Sequence, residues 1–172
     1  MIVAGLDIAT TTGCAILDGS RVLHVEAFRA TGKTEGEVFL SFRKWLRRTL
    51  LDHRVEMVAV EQPLRTDIEV ADRRRGANPG EKMNPVTMKT YLRLYGLRAH
   101  AIETCARLGL ECREVHQASW RKAFTGSGRA TKDDVLALAQ RIVPGLKSKD
   151  ASDALGVAWW LNGELRTMEM GL

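Results

Sequence analysis

Residues 2–29 read IVAGLDIATTTGCAILDGSRVLHVEAFR, and this stretch decides the fold class. Ile2 to Ile8 form a short apolar, β-rich run interrupted by a single charge, Asp7. Ala9 to Gly13 hold three threonines and a glycine, a composition suited to a turn. Residues 14–18 and 21–29 then read as two further strands, with Asp18-Gly19-Ser20 as the hairpin turn between them. Connections this short make the three strands antiparallel. Gly5 and the small residues at 9–13 are expected to leave open space around Asp7.

Outward from this meander the pattern changes period. Val38, Phe39, Phe42, Trp45, Leu46 and Leu50 recur at helical spacing and predict a helix over about 35–52, with Arg43, Lys44, Arg47 and Arg48 mostly opposite. Residues 55–61 (VEMVAVE) form a compact apolar strand that Pro63 stops. From 65 to 85 charge, Gly76, Gly80 and two prolines replace any apolar period, which predicts a loop. A second long helix is expected over 86–108, ended by Gly109, followed by a strand at 110–115. A short helix or turn near 117–123, the turn Gly126-Ser127-Gly128, a helix near 131–142 stopped by Pro144-Gly145, and a last helix at about 150–166 complete the chain. The last two strands are reached through helices and are therefore expected to be parallel. The reading is a single α/β domain over residues 1–172, with a mixed five-stranded sheet flanked by helices.

The 172-residue chain carries a net charge of +5, which favours a polyanionic partner without specifying one. Basic residues gather in the middle of the chain. From Arg65 to Arg98 eight Lys/Arg face four Asp/Glu, and from Arg113 to Lys132 five face one. Arg65, Arg73, Arg74, Arg75 and Lys82 in the first stretch, with Arg121, Lys122, Arg129 and Lys132 in the second, are the candidate nucleic-acid contacts. A basic loop directly after Glu61 is expected to order on binding and grip phosphates. The first residues lack a basic flank, and no apolar run is long enough to span a bilayer, so a cytoplasmic protein without membrane contact is expected. Cys14, Cys105 and Cys112 have no metal-site spacing and read as buried free thiols.

Four acids stand out. Asp7 interrupts an apolar strand, Glu61 ends one, and Asp150 and Asp153 lie i, i+3 on the first turn of the last helix. Each has a plain reading alone: strand-end acids for the first two, helix N-terminal acids for the others. If strands one and four are neighbours, however, Asp7 and Glu61 converge, and the last helix need only lie against that end of the sheet to add the other two. Converging carboxylates repel one another and call for cations, and all-oxygen ligands suit hard divalent ions such as Mg²⁺ or Mn²⁺. Two such ions can activate water and stabilise the leaving oxygen of a phosphodiester.

These motifs, Gly5-Leu6-Asp7, Val58-Ala59-Val60-Glu61-Gln62 and the closing DASDALGVA with Asp150 and Asp153, resemble those of the RuvC family in order and spacing. Leu94-Tyr95-Gly96, the strand near Glu114, Gly126-Ser127-Gly128 and Lys132 are similar as well. The resemblance implies an RNase H-like fold. It also implies a homodimeric endodeoxyribonuclease of DNA recombination and repair, which nicks four-way (Holliday) junctions with two Mg²⁺ ions, Mn²⁺ substituting. Its metal-binding acids fall on Asp7, Glu61, Asp150 and Asp153, and its two phosphate-facing basic residues on Arg121 and Lys132, the latter counted with the catalytic set. The chain departs from the family at Ile8-Ala9, where Pro-Gly is usual, and at Leu64, where an aromatic often stands. It also departs in the arginine at 121, since Arg and Lys bind phosphate with different geometry. These departures fit a phage-type variant with relaxed specificity for branches and flaps.

Three other readings stay open on the sequence. Residues 6–15 (LDIATTTGCA) resemble the first phosphate loop of sugar-kinase and actin-like ATPases. Those proteins need two domains and a second glycine-rich motif, so no nucleotide cofactor is expected here. A flap- or ribonuclease H-type nuclease would share the same acids, and a non-cleaving module would bind branched nucleic acid without cutting it. Met88, Tyr91, Leu92 and Tyr95 on the second long helix are the candidate dimer contacts, with packing against the sheet as their alternative role.

Overall fold

Strand alternation builds the molecule around β1 (Ile2–Asp7). Successive side chains of a strand point to opposite faces of the sheet. Val3 therefore joins one buried cluster, while Ala4 and Leu6 join another. Helices cover both faces. The computed structural model describes residues 1–62 and 88–171. The predicted basic loop with Arg65, Arg73, Arg74, Arg75 and Lys82 lies outside the described residues, as do Pro63 and Leu64.

In chain order, β1 is followed by β2 (Thr12–Asp18), β3 (Arg21–Phe28), α1 (Glu35–Asp52), β4 (Met57–Glu61) and α2 (Met88–Arg107). Then come β5 (Glu111–Val115), α3 (Gln117–Thr125), α4 (Lys132–Ile142) and α5 (Lys149–Glu169). The five strands lie in the order β3-β2-β1-β4-β5. β1 pairs antiparallel with β2 and β2 with β3, whereas β4 runs parallel to β1 and β5 parallel to β4. This is the mixed sheet expected from the sequence, with element ends shifted by a few residues. The thiol expectation needs one adjustment: Cys14 and Cys105 are buried, but Cys112 on β5 is only half-buried.

One face of the sheet packs against α1 and α2 through Phe42, Trp45, Leu46, Leu50, Leu97 and Ala101. The other carries α3, α4 and α5, with Trp120, Val135, Leu155, Val157 and Leu161 at its centre. α5 is the most deeply embedded helix, buried continuously from Ala151 to Ala158. Its run is made of small residues (Ala151, Ser152, Ala154, Gly156, Ala158), so its backbone reaches the sheet.

Glycines on the strands complete that approach. A Cβ on Gly5 would lie 2.3 Å from the Ala158 nitrogen, and one on Gly13 would lie 1.9 Å from the Asp150 carbonyl oxygen. The sequence reading left open space beside Asp7; the structure corrects this, because the backbone of α5 fills the room that Gly5 and Gly13 leave. Gly13 is also the register partner of Asp7, so pressing α5 onto it sets Asp150 beside Asp7's strand pair. Overpacked core positions typically cost about 1–3 kcal/mol, and backbone cannot yield as a side chain can. Gly13→Ala should therefore lower the chemical denaturation midpoint by that order and displace the start of α5. A variant with wild-type stability and an unchanged spectrum of backbone amides near Asp150 would contradict the docking described.

Candidate active site

Parity along the strands decides which acids can meet. Val3, Gly5 and Asp7 share one face of β1, and Met57, Ala59 and Glu61 share the same face of β4, the face covered by α3 and α5. Leu6 pairs with Val60 across the parallel ladder, so the next residues, Asp7 and Glu61, leave the sheet side by side. α5 brings the other two acids. Ser148 caps it by accepting from the Ala151 N–H at 3.2 Å, which fixes the first turn. Asp150 projects from that turn, and Asp153, three residues on and just past the first turn the sequence placed it in, projects onto the same end of the sheet.

Lys132, the first residue of α4, joins the pair. Its Nζ lies 3.1 Å from Asp153 Oδ2 and 3.6 Å from Asp150 Oδ1. The Thr131–Asp134 capping box holds α4 at this point, and Lys149 bridges back to Asp133 at 2.6 Å. Half-burial works against charge on Lys132, but the Asp153 carboxylate, with help from Asp7 and Asp150, keeps its pKa above the ordinary lysine value.

Burial and mutual repulsion act on the acids together. Asp7 is pushed well above the usual carboxylate range, first by burial and then by Glu61 and Asp153, with Lys132 opposing. Burial also raises Glu61, despite the hydrogen bond from Trp120, and raises Asp153, despite Lys132. The Asp153 side chain is 2 % exposed, and its Oδ1 has no hydrogen-bond partner. A buried, unpaired carboxylate oxygen is costly unless a cation meets it. As the side chains stand, no group of three or more His, Cys, Asp or Glu among the described residues is placed to hold a metal ion. The donors fit a hard divalent cation in kind nonetheless: all are carboxylate oxygens, mutually repelling, with one left unmatched.

Both oxygens of Glu61 are held from α3. Gln117 Nε2 donates to Oε1 at 3.0 Å, and the buried Trp120 Nε1 donates to Oε2 at 2.8 Å. Trp120 is fixed in turn by Gly156 of α5, whose hydrogen-only side leaves space for the indole. Arg98 of α2 donates to the Glu61 carbonyl at 3.3 Å and pairs with Glu114. None of these three was singled out from sequence. Gln117 and Trp120 stand i, i+3 on one helix, and a buried indole N–H needs an acceptor, so a signal existed.

The predicted basic residues divide. Arg121 lies with its guanidinium 5.3 Å from the Trp120 ring centre, and its charge lowers both Glu61 and Asp153. Lys122 and Arg129 are exposed and make no ion pair with the four acids. Arg65, Arg73, Arg74, Arg75 and Lys82 lie outside the described residues.

The crowding has a measurable consequence. Asp7 keeps its proton in the folded chain at pH values where the unfolded chain has lost it. The stability tied to this group is therefore fully present below about pH 4, its ordinary range, and falls as pH rises through the raised pKa. In metal-free buffer at neutral pH, Asp7→Asn should melt higher than wild type, each kcal/mol relieved reading as about 2–4 °C for a chain of this size. The difference should vanish below about pH 4. A melting difference independent of pH would show that repulsion at Asp7 is not its source.

No known family profile matches the chain. Individual relatives do. It is 30% identical over 163 residues to the crossover junction endodeoxyribonuclease RuvC of Zymomonas mobilis, covering 92% of this chain and 88% of that protein. It is 31% identical over 170 residues to RuvC of Sphingopyxis alaskensis, covering 92% and 94%. Among solved structures, Thermus thermophilus RuvC in complex with a Holliday junction substrate superposes with a TM-score of 0.73 at 20% identity, covering 98% of this chain and 96% of that one. The yeast mitochondrial Holliday junction resolvase Ydc2 gives 0.58 at 10% identity, covering 99% and 84%. The structural likenesses establish the RNase H-like fold predicted from the motifs, and the sequence identity over most of both chains goes further: this chain belongs to the RuvC family of crossover junction endodeoxyribonucleases.

Proposed function

We propose that the chain acts as a homodimeric resolvase of four-way DNA junctions, hydrolysing phosphodiester bonds with two Mg²⁺ ions held by Asp7, Glu61, Asp150 and Asp153. What supports this reading is the nearness of Asp7 on β1 to Glu61 on β4 and to Asp150 and Asp153 on α5, together with a buried, unpaired oxygen on Asp153. Bound divalent cations would supply Lewis acidity toward the phosphate and a nucleophilic water at neutral pH. Gln117 and Trp120 fix the plane of the Glu61 carboxylate, so this ligand is oriented before any cation arrives. Lys132, held charged among the acids, is placed to neutralise a phosphate oxygen, and Arg121 adds a second positive charge beside Glu61. A Holliday junction, the substrate held in the Thermus thermophilus RuvC complex, is the substrate class these groups suit.

A homodimer follows from symmetry and from α2. One chain carries one set of acids, whereas symmetric nicking of a two-fold junction needs two. Met88, Leu92, Tyr95, Ala99, Ile102 and Ala106 follow alternating steps of four and three residues along α2, the spacing of a coiled-coil seam. They face away from Leu97, Ala101 and Cys105, which are buried. Met88 is 73% exposed, Leu92 66% and Tyr95 50%, which supports a seam rather than the sheet-packing alternative for these three. Tyr91, also a candidate contact, is half-buried and lies off the stripe.

Asp7→Asn, Glu61→Gln and Asp153→Asn should each abolish junction cleavage in Mg²⁺ while binding stays intact or tightens, because fewer negative charges face the phosphates. Sedimentation of the same junction-bound samples should report two chains per junction. Near-wild-type cutting by these variants would remove the assigned site, and a single chain on the junction would remove the symmetric resolvase.

A further inference from the structure

Beyond the four acids, the same end of the sheet carries a second recess. A cleft of about 220 Å³ opens between the β1–β2 turn, the β3–α1 connection and α2. Val38 and Leu97 form its apolar floor, and Thr10, Arg29, Thr31 and Arg93 form its polar walls. Gly32 completes the rim, packed so closely that a Cβ there would lie 2.5 Å from Glu37 Cβ and 2.7 Å from the Val38 nitrogen. The recess is thus shaped by backbone rather than by chance side-chain positions.

Both charged residues that line it, Arg29 and Arg93, are positive. Arg93 is locked in place by Glu35, with Nε 2.8 Å from Oε2 and a second contact from Nη2 to Oε1. That fork occupies two of the five N–H donors of the guanidinium, leaving others for a ligand. Arg29 is exposed and makes no ion pair among the described residues. Lys89 adds a further positive charge near Glu35. Thr10 and Thr31 add hydroxyls. Arginine forks with small hydroxyl and backbone donors recognise phosphate oxygens.

Position ties the cleft to the acids. Thr10 follows Asp7 by three residues, a reach of at most about 11 Å even if fully extended. At about 3.4 Å rise per nucleotide, that distance is about three nucleotides of one strand. Lys132 and Arg121 approach the acids from α4 and α3, whereas this cleft lies across β1 from them, toward α1 and α2. We infer that the cleft is a phosphodiester subsite, with Arg29 as its principal contact and Thr10 on its acid-facing side, that holds the DNA strand beyond the cut on the α1–α2 side. The inference rests on the nuclease reading for its biological meaning but on its own geometry for binding.

The test uses full-length protein on a labelled four-way junction. Equilibrium binding is measured across a salt series without divalent metal, and single-turnover cleavage is measured at saturating protein with Mg²⁺. Arg29→Ala should weaken binding about 5-fold or more, the scale of one charged contact. It should lower the salt slope by about 0.9. Arg29→Lys should restore the slope, because a cation returns. At constant ionic strength, inorganic phosphate should compete far more weakly than an unlabelled DNA strand at equal phosphate concentration; competition as strong as the strand's would show a site for free phosphate instead and overturn the subsite. An unchanged slope and affinity in Arg29→Ala, with melting equal to wild type, would overturn it as well. Failure of the wild type to cut any junction would count against the nuclease reading alone, since the slope is read without cutting.

Discussion

Contact between the backbone of α5 and the strands beneath it governs the rest of the structure. Gly5 and Gly13 have no side chain to hold the helix away, and Ala154 and Ala158 have little. The helix therefore lies directly on β1 and β2. This brings Asp150 and Asp153 to the strand ends where Asp7 and Glu61 emerge. A layer of leucines at the same positions would give a stable α/β sandwich in which the acids never met.

Crowding the carboxylates costs free energy, and the surrounding residues divide that cost. Lys132 offsets part of it by reaching Asp150 and Asp153 together. Glu61 is stabilised by two donors from α3, one of them an indole buried against Gly156. Asp7 is pushed upward by burial and by its acidic neighbours, with Lys132 opposing. Like charges are thus crowded at one end of the sheet, and a divalent cation bound there, as proposed, would relieve the repulsion. That is the link between the packing of one helix and a hydrolytic function.

Much of this was legible in the residues. The antiparallel meander follows from the turns at 9–13 and 18–20, and the parallel pair from the intervening helices. The four acids were visible because charge inside or at the end of an apolar strand demands explanation. Three things were not legible. The space beside Asp7 read as open, because a glycine in sequence does not reveal whether solvent or a helix backbone takes the place of its side chain. Gln117 and Trp120 escaped notice because their partner, Glu61, lies more than fifty residues away and only the β4–β5 pairing brings α3 to it. The Arg29 cleft is assembled from two connections and two helices, none of which carries a motif there.

The central claim is that Asp7, Glu61, Asp150 and Asp153 form one cation-binding centre. Anomalous diffraction from crystals of the wild-type protein grown with Mn²⁺ tests it most directly, since the ion is located without reference to activity. The account predicts anomalous peaks between the β1 and β4 carboxylates and the first turn of α5, lost in Asp153→Asn. Peaks elsewhere on the molecule, with none among these four acids at saturating Mn²⁺, would contradict it.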